Sequence, residues 1–340
     1  MKKVWTTVFL LFGTIVGSGF SSGKEILVFF SRFGELSYLY IVIACVLFFL
    51  LFYLFLSKGK FVIEKLEKLK IVNMILIFIS IVFTASMFAG LKSLFMFSNS
   101  ALYIILCAIL LSFTIFITLR GMKALEKVTL ILMPICVFIF LSVLVYICFQ
   151  NPEFAIQTKS PFGYFYCPLY VALNFSTSTF IVSKAGRELN KKQTFLVSLF
   201  SALLLLAFLL FANFALRTHS LSHFADMPFL FLCKDNLFFF VLCYSVILIG
   251  CVTTLFSLCL TIKSSVEGMF NGEVLGIIIA IFLPFLISEL GFSEIVSNLY
   301  PLASVLGVSE LLFFIYSFKQ ADKRVNDKCE NAKHEGRTHH

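Results

Sequence analysis

Glycine and hydroxyl residues are concentrated in one short run near the beginning of the sequence. Residues 13–23 include four glycines and four Ser or Thr residues, inside a stretch that is otherwise apolar. Each glycine weakens a helix by about 1 kcal/mol, so the run predicts an interrupted helix. An interruption releases backbone N–H and C=O groups, which can hold an anion or a cation. The alternative is a continuous helix that packs closely on a neighbour through small residues such as Gly13 and Gly17.

A second polar run lies near the middle of the chain. Residues 174–179, NFSTST, follow Pro168 within an apolar stretch and contain no glycine. The run predicts a second break, which would again expose backbone groups at membrane depth. The alternative is that its Ser and Thr side chains bond back to carbonyls of their own helix and only bend it.

Three further residues have the spacing of one helix face. Gly250, Thr253 and Thr254 stand at i, i+3 and i+4. Hydroxyl and carbonyl oxygens are the ligands of a hard cation such as sodium, so this face is a candidate for part of a sodium site. The alternative is that both threonines pack and bond to their own backbone.

Lys24 and Glu25 form an adjacent charged pair within an apolar stretch. Ionisable groups at membrane depth are functional candidates, and this pair is predicted to act as a gate at the outer vestibule. The alternative is that both side chains extend to the nearby membrane surface.

The elements that must position these residues are membrane helices. Of 340 residues, 60% are hydrophobic and 13% are charged, against about 25% charged in an average soluble domain. A spanning helix needs about 20 apolar residues. About ten stretches qualify, which predicts an all-α integral membrane protein: 5–30, 36–56, 71–95, 101–119, 128–149, 162–183, 194–216, 237–262, 274–290 and 295–317.

The basic residues are divided unequally between alternate loops. With the N-terminus inside, most of the 27 Lys and Arg residues fall on the cytoplasmic side, and the other side receives Arg32, Lys92, Lys159, Arg217 and Lys234. This division predicts a plasma-membrane protein with both termini in the cytoplasm. It also explains the net charge of +9 without nucleic acid as a partner.

An even number of spans allows two five-helix halves in inverted orientation, with broken helices one and six. The halves would be residues 1–150 and 151–318. The polar tail, residues 319–340, is expected to be disordered. The ten cysteines show no C-x-x-C spacing, and no nucleotide-binding loop or H-E-x-x-H motif occurs, so an enzyme and a bound cofactor are not predicted.

Two segments resemble a known family. Residues 14–20, TIVGSGF, resemble the G-S-G signature in the first helix of the amino acid-polyamine-organocation (APC) transporter superfamily. Their extension to residue 26, GFSSGKEI, is similar to a branch of uncharacterised bacterial membrane proteins in that superfamily. Residues 121–134 are similar to the corresponding stretch of its sodium-coupled symporters. The resemblance extends to about residue 317.

The resemblance implies an inverted-repeat fold, alternating access and a substrate between spans one, three, six and eight. It implies substrate contacts at Gly17, Ser18 and Gly19 in the first break. In span six the matching contacts are Asn174, Phe175 and Ser176.

Sodium carbonyl ligands are implied at Gly13 and Val16, next to the face that carries Gly250, Thr253 and Thr254. Proton-coupled relatives often place a lysine in the fifth span, whereas residues 129–138 carry no charge, which favours sodium.

These features predict a secondary active transporter that couples sodium to an amino acid or a similar zwitterion. A proton-coupled carrier and a non-transporting ligand sensor of the same fold are the alternatives. The bilayer and a small molecule are the expected partners, and the sequence leaves the oligomeric state open.

Overall fold

The computed structural model describes residues 1–95, 100–150, 163–270 and 272–335. Within these ranges the protein consists of helices and connecting turns. The helices are α1 (Lys2–Ile15), α2 (Ser18–Ser22), α3 (Lys24–Phe29), α4 (Leu36–Ser57), α5 (Gly59–Lys68), α6 (Lys70–Phe95), α7 (Ser100–Arg120), α8 (Met122–Cys148), α9 (Gly163–Gly186), α10 (Lys191–Arg217), α11 (Pro228–Leu232), α12 (Leu237–Phe270), α13 (Glu273–Ser288), α14 (Phe292–Glu294) and α15 (Tyr300–Glu335).

Seven helices of the described ranges are long and apolar enough to cross a membrane: α4, α6, α8, α9, α10, α12 and the segment that begins at α14 and continues through α15. Their outer faces are apolar as well. Ile131, Ile135 and Phe138 on α8 are 65%, 49% and 75% exposed, and they repeat at helical spacing. A soluble protein would bury such a stripe, whereas a bilayer covers it. The chain is therefore an all-α protein with the character of a multi-pass membrane protein.

The helix α9 lies at the centre of the bundle. It packs against α1, α4, α5 and α15, and nearly all of its residues from Tyr170 to Gly186 are buried. Around Tyr170 the core is aromatic, with ring centroids of Phe30 and Phe29 at 4.7 and 5.5 Å. A helix that is buried all round has no lipid face, so its polar side chains must find partners within the protein.

Close backbone contacts hold α9 against its neighbours. A Cβ on Gly186 would lie 2.2 Å from the carbonyl oxygen of Leu56, and one on Gly307 would lie 2.9 Å from that of Ala172. Small residues at helix contacts allow this approach, which supplies van der Waals packing where a bilayer weakens the hydrophobic effect.

Two elements differ from the sequence expectation. First, α9 is continuous from Gly163 to Gly186, so the predicted break at residues 174–179 is wrong. Second, α15 runs to Glu335, through most of the tail that was expected to be disordered. Residues 319–335 contain no Gly or Pro, and they extend a helix that already exists, so no new nucleus is needed.

Three parts of the sequence prediction fall at or beyond the limits of the described residues. They are the boundary between residues 150 and 151, the start of the sixth stretch at Phe162, and residues 336–340 of the tail.

Candidate substrate and cation site

The first apolar stretch is interrupted where the glycine-rich run predicts it. Helix α1 ends at Ile15, and α2 starts at Ser18. The N–H of Gly17 bonds to the carbonyl of Ile15 at 2.9 Å. In a continuous helix that N–H would bond to Gly13 instead, so the interruption releases the Gly13 carbonyl.

The released carbonyls face α12. The hydroxyl of Thr254 donates to the Gly13 oxygen at 3.1 Å. A Cβ on Gly250 would lie 3.0 Å from the Val16 oxygen and 3.5 Å from the Gly17 oxygen. The structure therefore brings together four of the five predicted sodium-site residues. Thr253 is buried beside them, but its hydroxyl donates to Ile249 of its own helix at 2.9 Å.

The predicted substrate residues of the first break face α6 and α3. The N–H of Ser18 has the sulfur of Met87 as its acceptor at 3.4 Å, and thioether sulfur is a weak acceptor. The Ser18 hydroxyl lies 3.4 Å from the carbonyl oxygen of Ser86. A Cβ on Gly19 would lie 2.7 Å from Oε2 of Glu25, so that carboxyl packs directly on the Gly19 backbone.

Of the predicted span-six contacts, Asn174 alone reaches this region. Its Nδ2 donates to Oε1 of Glu25 at 2.6 Å, and its Oδ1 is buried with no hydrogen-bond partner. The ring of Phe175 instead packs on Phe55 at 4.8 Å. The hydroxyl of Ser176 lies 3.4 Å from the carbonyl of Gly307 on α15.

The hydrogen bonds of the Ser and Thr hydroxyls in α9 explain why this helix is continuous. Thr177 and Ser178 donate to the carbonyl of Asn174, and Thr179 donates to that of Phe175, at 2.8 to 3.0 Å. These polar side chains are satisfied within their own helix, which removes the reason for an interruption.

The adjacent charges of α3 point to different places. The Nζ of Lys24 donates to the carbonyl of Ala225 at 3.1 Å, beside a surface cavity. Glu25 points into the core, where it is 1% exposed. Of the pair that was predicted to act as a gate, only Lys24 therefore lies beside a surface cavity.

Two cavities lie at opposite ends of α12. One has a volume of about 470 Å³ and is lined by Ala225, Asp226 and Phe240 among others. The second, of about 200 Å³, is lined by Asn73, Phe180, Lys184 and Ser264 among others. Phe240 and Ser264 belong to the same helix and are separated by about 36 Å along its axis. The break and the Glu25–Asn174 contact are in the protein interior, on residues that line neither cavity.

Sequence reasoning missed two residues near the site. Glu310 on α15 is 1% exposed, and neither carboxyl oxygen has a hydrogen-bond partner. It is the one charged residue between Tyr300 and Phe318, and that isolation in an apolar stretch was the available signal. Tyr300, whose hydroxyl bonds to that of Ser86, lacked such a signal, because tyrosine is ordinary in a membrane helix.

Two histidines, His219 and His223, lie in the loop that follows α10. A ring nitrogen of His219 lies 3.0 Å from the Ala215 carbonyl, and one of His223 lies 3.0 Å from the Leu216 carbonyl. In the part of the chain that the structure describes, no group of three His, Cys, Asp or Glu residues is arranged to hold a metal.

No protein-family model matches the chain, and no curated protein is significantly similar to it. Any functional assignment therefore depends on the geometry of the site.

Proposed function

We propose that this protein is a secondary active transporter that couples sodium to the uptake of an amino acid or a similar small zwitterion. In this proposal the chain crosses the plasma membrane ten times, as two inverted five-helix halves. The three shorter or interrupted apolar segments that complete the ten are the α1–α3 segment, α7 and α13. Alternating access of one central site to the two sides would move the substrate.

The observation that carries the proposal is the contact between Thr254 and Gly13. A helix break frees carbonyl oxygens, and a threonine hydroxyl on α12 lies against one of them at 3.1 Å. With the oxygen of Val16 next to Gly250, this supplies several neutral oxygen atoms in a small buried volume. Such a ligand set suits a monovalent hard cation, because it provides oxygens without the full charges that a divalent ion would require.

The same region offers both kinds of partner that a zwitterion needs. Ser18 presents an N–H whose acceptor is a methionine sulfur, and a carboxylate would be a far stronger acceptor. The unpaired Oδ1 of Asn174 is an acceptor for an ammonium group. A substrate that satisfied both would supply the strong hydrogen-bond partners that Ser18 and Asn174 lack within the described protein, each bond worth about 1–3 kcal/mol when buried.

The cavities support a carrier. They lie at opposite ends of α12 and the residues of the break line neither of them, so alternating access would open one end while the other stays closed. A channel would need no closed layer between them. Two ion pairs also agree with the proposed grouping of the loops, because Lys3 bonds to Glu188 at 3.1 Å and Lys92 bonds to Glu289 at 2.7 Å, each between segments predicted on the same side.

The test is thermal stabilisation of the purified protein by a panel of amino acids, with sodium and with choline in its place. Binding to the native state raises the melting temperature by mass action. We expect at least one amino acid to stabilise the protein in sodium only.

Thr254→Val removes the hydroxyl at nearly constant volume. In this variant we expect the sodium-dependent stabilisation by amino acids to disappear. Thr261→Val is the matched control, because Thr261 is equally buried on α12 but donates to Ser257 of its own helix at 2.9 Å. Sodium-dependent stabilisation that survives Thr254→Val would rule out this cation site. The absence of stabilisation by every amino acid would remove the proposed substrate class.

A proton-coupled carrier is the second candidate. The observation that favours it is the pair of buried carboxyls, Glu25 and Glu310, neither of which faces a cationic side chain in the described ranges.

A further inference from the structure

Two carboxyl side chains lie deep in the protein without a counter-charge. Glu25 and Glu310 are each 1% exposed. Among the described residues, Glu25 has one hydrogen bond, from Asn174, and neither oxygen of Glu310 has a hydrogen-bond partner. No ion pair of the described residues includes either carboxyl. An isolated buried carboxylate costs several kcal/mol, so a proton or another cation must neutralise each of them in this arrangement.

The two carboxyls lie on opposite faces of α9. Glu25 contacts Asn174, whereas the polar neighbour of Glu310 is Ser176. Residues two apart on a helix point in nearly opposite directions. The central helix therefore separates the acids by little more than its own width.

The packing at each carboxyl leaves little room for a bulky occupant. Oε2 of Glu25 rests on Gly19, where even a methyl group would lie 2.7 Å away. One turn before Glu310, Gly307 brings α15 against the backbone of α9, with a Cβ position 2.9 Å from the Ala172 oxygen. A proton needs no such space, whereas an ammonium group or a hydrated ion does.

The charged and titratable surroundings are simple. Glu25 interacts electrostatically with the hydroxyls of Tyr170 on α9 and Tyr300 on α15. The side chain that acts on Glu310 is Ser176 of α9. Neither carboxyl is therefore held in one state by a permanent positive charge.

A neighbour of each carboxyl lies at a different cavity. Lys24, the residue before Glu25, bonds to Ala225 at the wall of the larger cavity. Phe180, one turn beyond Ser176 on α9, lines the smaller cavity at the other end of α12.

We propose that Glu25 and Glu310 form a proton-binding pair across α9, which takes up a proton from one side and releases it to the other during transport. This inference rests on the proposed function and adds a second coupled ion to it. Each transfer breaks one O–H bond and forms another, with water in a cavity as the partner, so no oxidant or reductant is required. Ser176 is a positioning residue in this scheme.

Infrared difference spectroscopy of the reconstituted protein tests the pair without a substrate. A protonated carboxyl has a carbonyl stretch that the carboxylate lacks. We expect this signal to appear as the pH is lowered, and Glu25→Gln and Glu310→Gln each to remove a separate part of it. Glu289→Gln is the control, because that exposed carboxylate is paired with Lys92. A signal that neither substitution changes would overturn the proposal.

Should Glu310→Gln fail to fold, Ser176→Ala provides the second test. It keeps the carboxyl but removes its polar neighbour, so it should shift the pH at which the Glu310 part of the signal appears. An unchanged profile would count against the pair.

Proteoliposomes with a trapped pH dye test the movement of protons. A mixture of the standard amino acids is added outside, with equal sodium on both sides. We expect the internal pH to change with the wild-type protein and not with Glu310→Gln, while sodium-dependent thermal stabilisation persists in the variant. An equal pH change in both would overturn the proposal.

The two hypotheses fail separately. Sodium-dependent stabilisation with no titrating carboxyl would refute the pair and leave the transporter. Titrating carboxyls with no stabilisation would leave Glu25 and Glu310 as proton-binding groups and remove the proposed substrate class.

Discussion

The amide of Asn174 donates to the carboxyl of Glu25 at 2.6 Å, and this hydrogen bond ties the central helix α9 to the segment after the break. The two residues are 149 positions apart in the sequence. They join the region that the glycine run predicted to the polar run of the sixth stretch.

Asn174→Leu should destabilise the protein more at alkaline than at acidic pH. The substitution leaves the Glu25 carboxylate without a donor, and an unsatisfied buried group costs about 1–3 kcal/mol, more when it is charged. A protonated carboxyl carries no charge, so the loss should shrink as the pH falls. Thermal melts across a pH series measure the difference.

The control for that experiment is the double variant Glu25→Gln/Asn174→Leu, in which no carboxyl remains to titrate. Its loss relative to Glu25→Gln should be the same at every pH. A pH-independent loss in Asn174→Leu alone would show that the contact does not depend on the charge of Glu25.

Gly19→Ala should displace the Glu25 carboxyl. The new methyl group would lie 2.7 Å from Oε2, so the side chain or the backbone has to move, at a cost of about 1–3 kcal/mol. We expect a lower melting temperature and loss of sodium-dependent stabilisation by amino acids.

Gly268→Ala is the matched control, because a Cβ there meets nothing within 4 Å and the residue lies inside α12. Alanine favours a helix over glycine by about 0.5–1 kcal/mol, so this variant should be as stable as the wild type or more stable. A Gly19→Ala protein with wild-type stability and binding would show that the close contact is unimportant.

Single cysteines at two ion-paired positions should report opposite sides of the membrane. The proposed orientation places Glu188 inside and Glu289 outside. A membrane-impermeant thiol reagent added to whole cells should label Glu289→Cys and leave Glu188→Cys unlabelled until the cells are opened. Both residues are largely exposed, and wild-type protein gives the background from the native cysteines. The opposite labelling pattern would invert the topology.

The sequence by itself determined the helical membrane character and the interruption of the first stretch. Both follow from local chemistry. Apolar runs of about 20 residues have to be helical in a bilayer, and the glycines and hydroxyls of residues 13–23 weaken a helix wherever they occur. The spacing of Gly250 and Thr254 likewise fixed their common face, and the structure places that face against Gly13 and Val16.

Only the tertiary structure decided which partners the buried polar side chains contact. The Ser and Thr run of α9 could have formed a helix break or a continuous helix. Burial on all sides favoured the continuous helix, in which these hydroxyls donate to carbonyls of the same helix. Lys24 and Glu25 are adjacent in the sequence and gave the same prediction. In the structure they point in different directions along α3, so that Lys24 reaches a cavity wall and Glu25 reaches Asn174. Glu310 acquired its relation to Ser176 through the contact of α15 with α9. Such pairings join residues more than a hundred positions apart, and their partners depend on how helices pack, which local propensity does not specify.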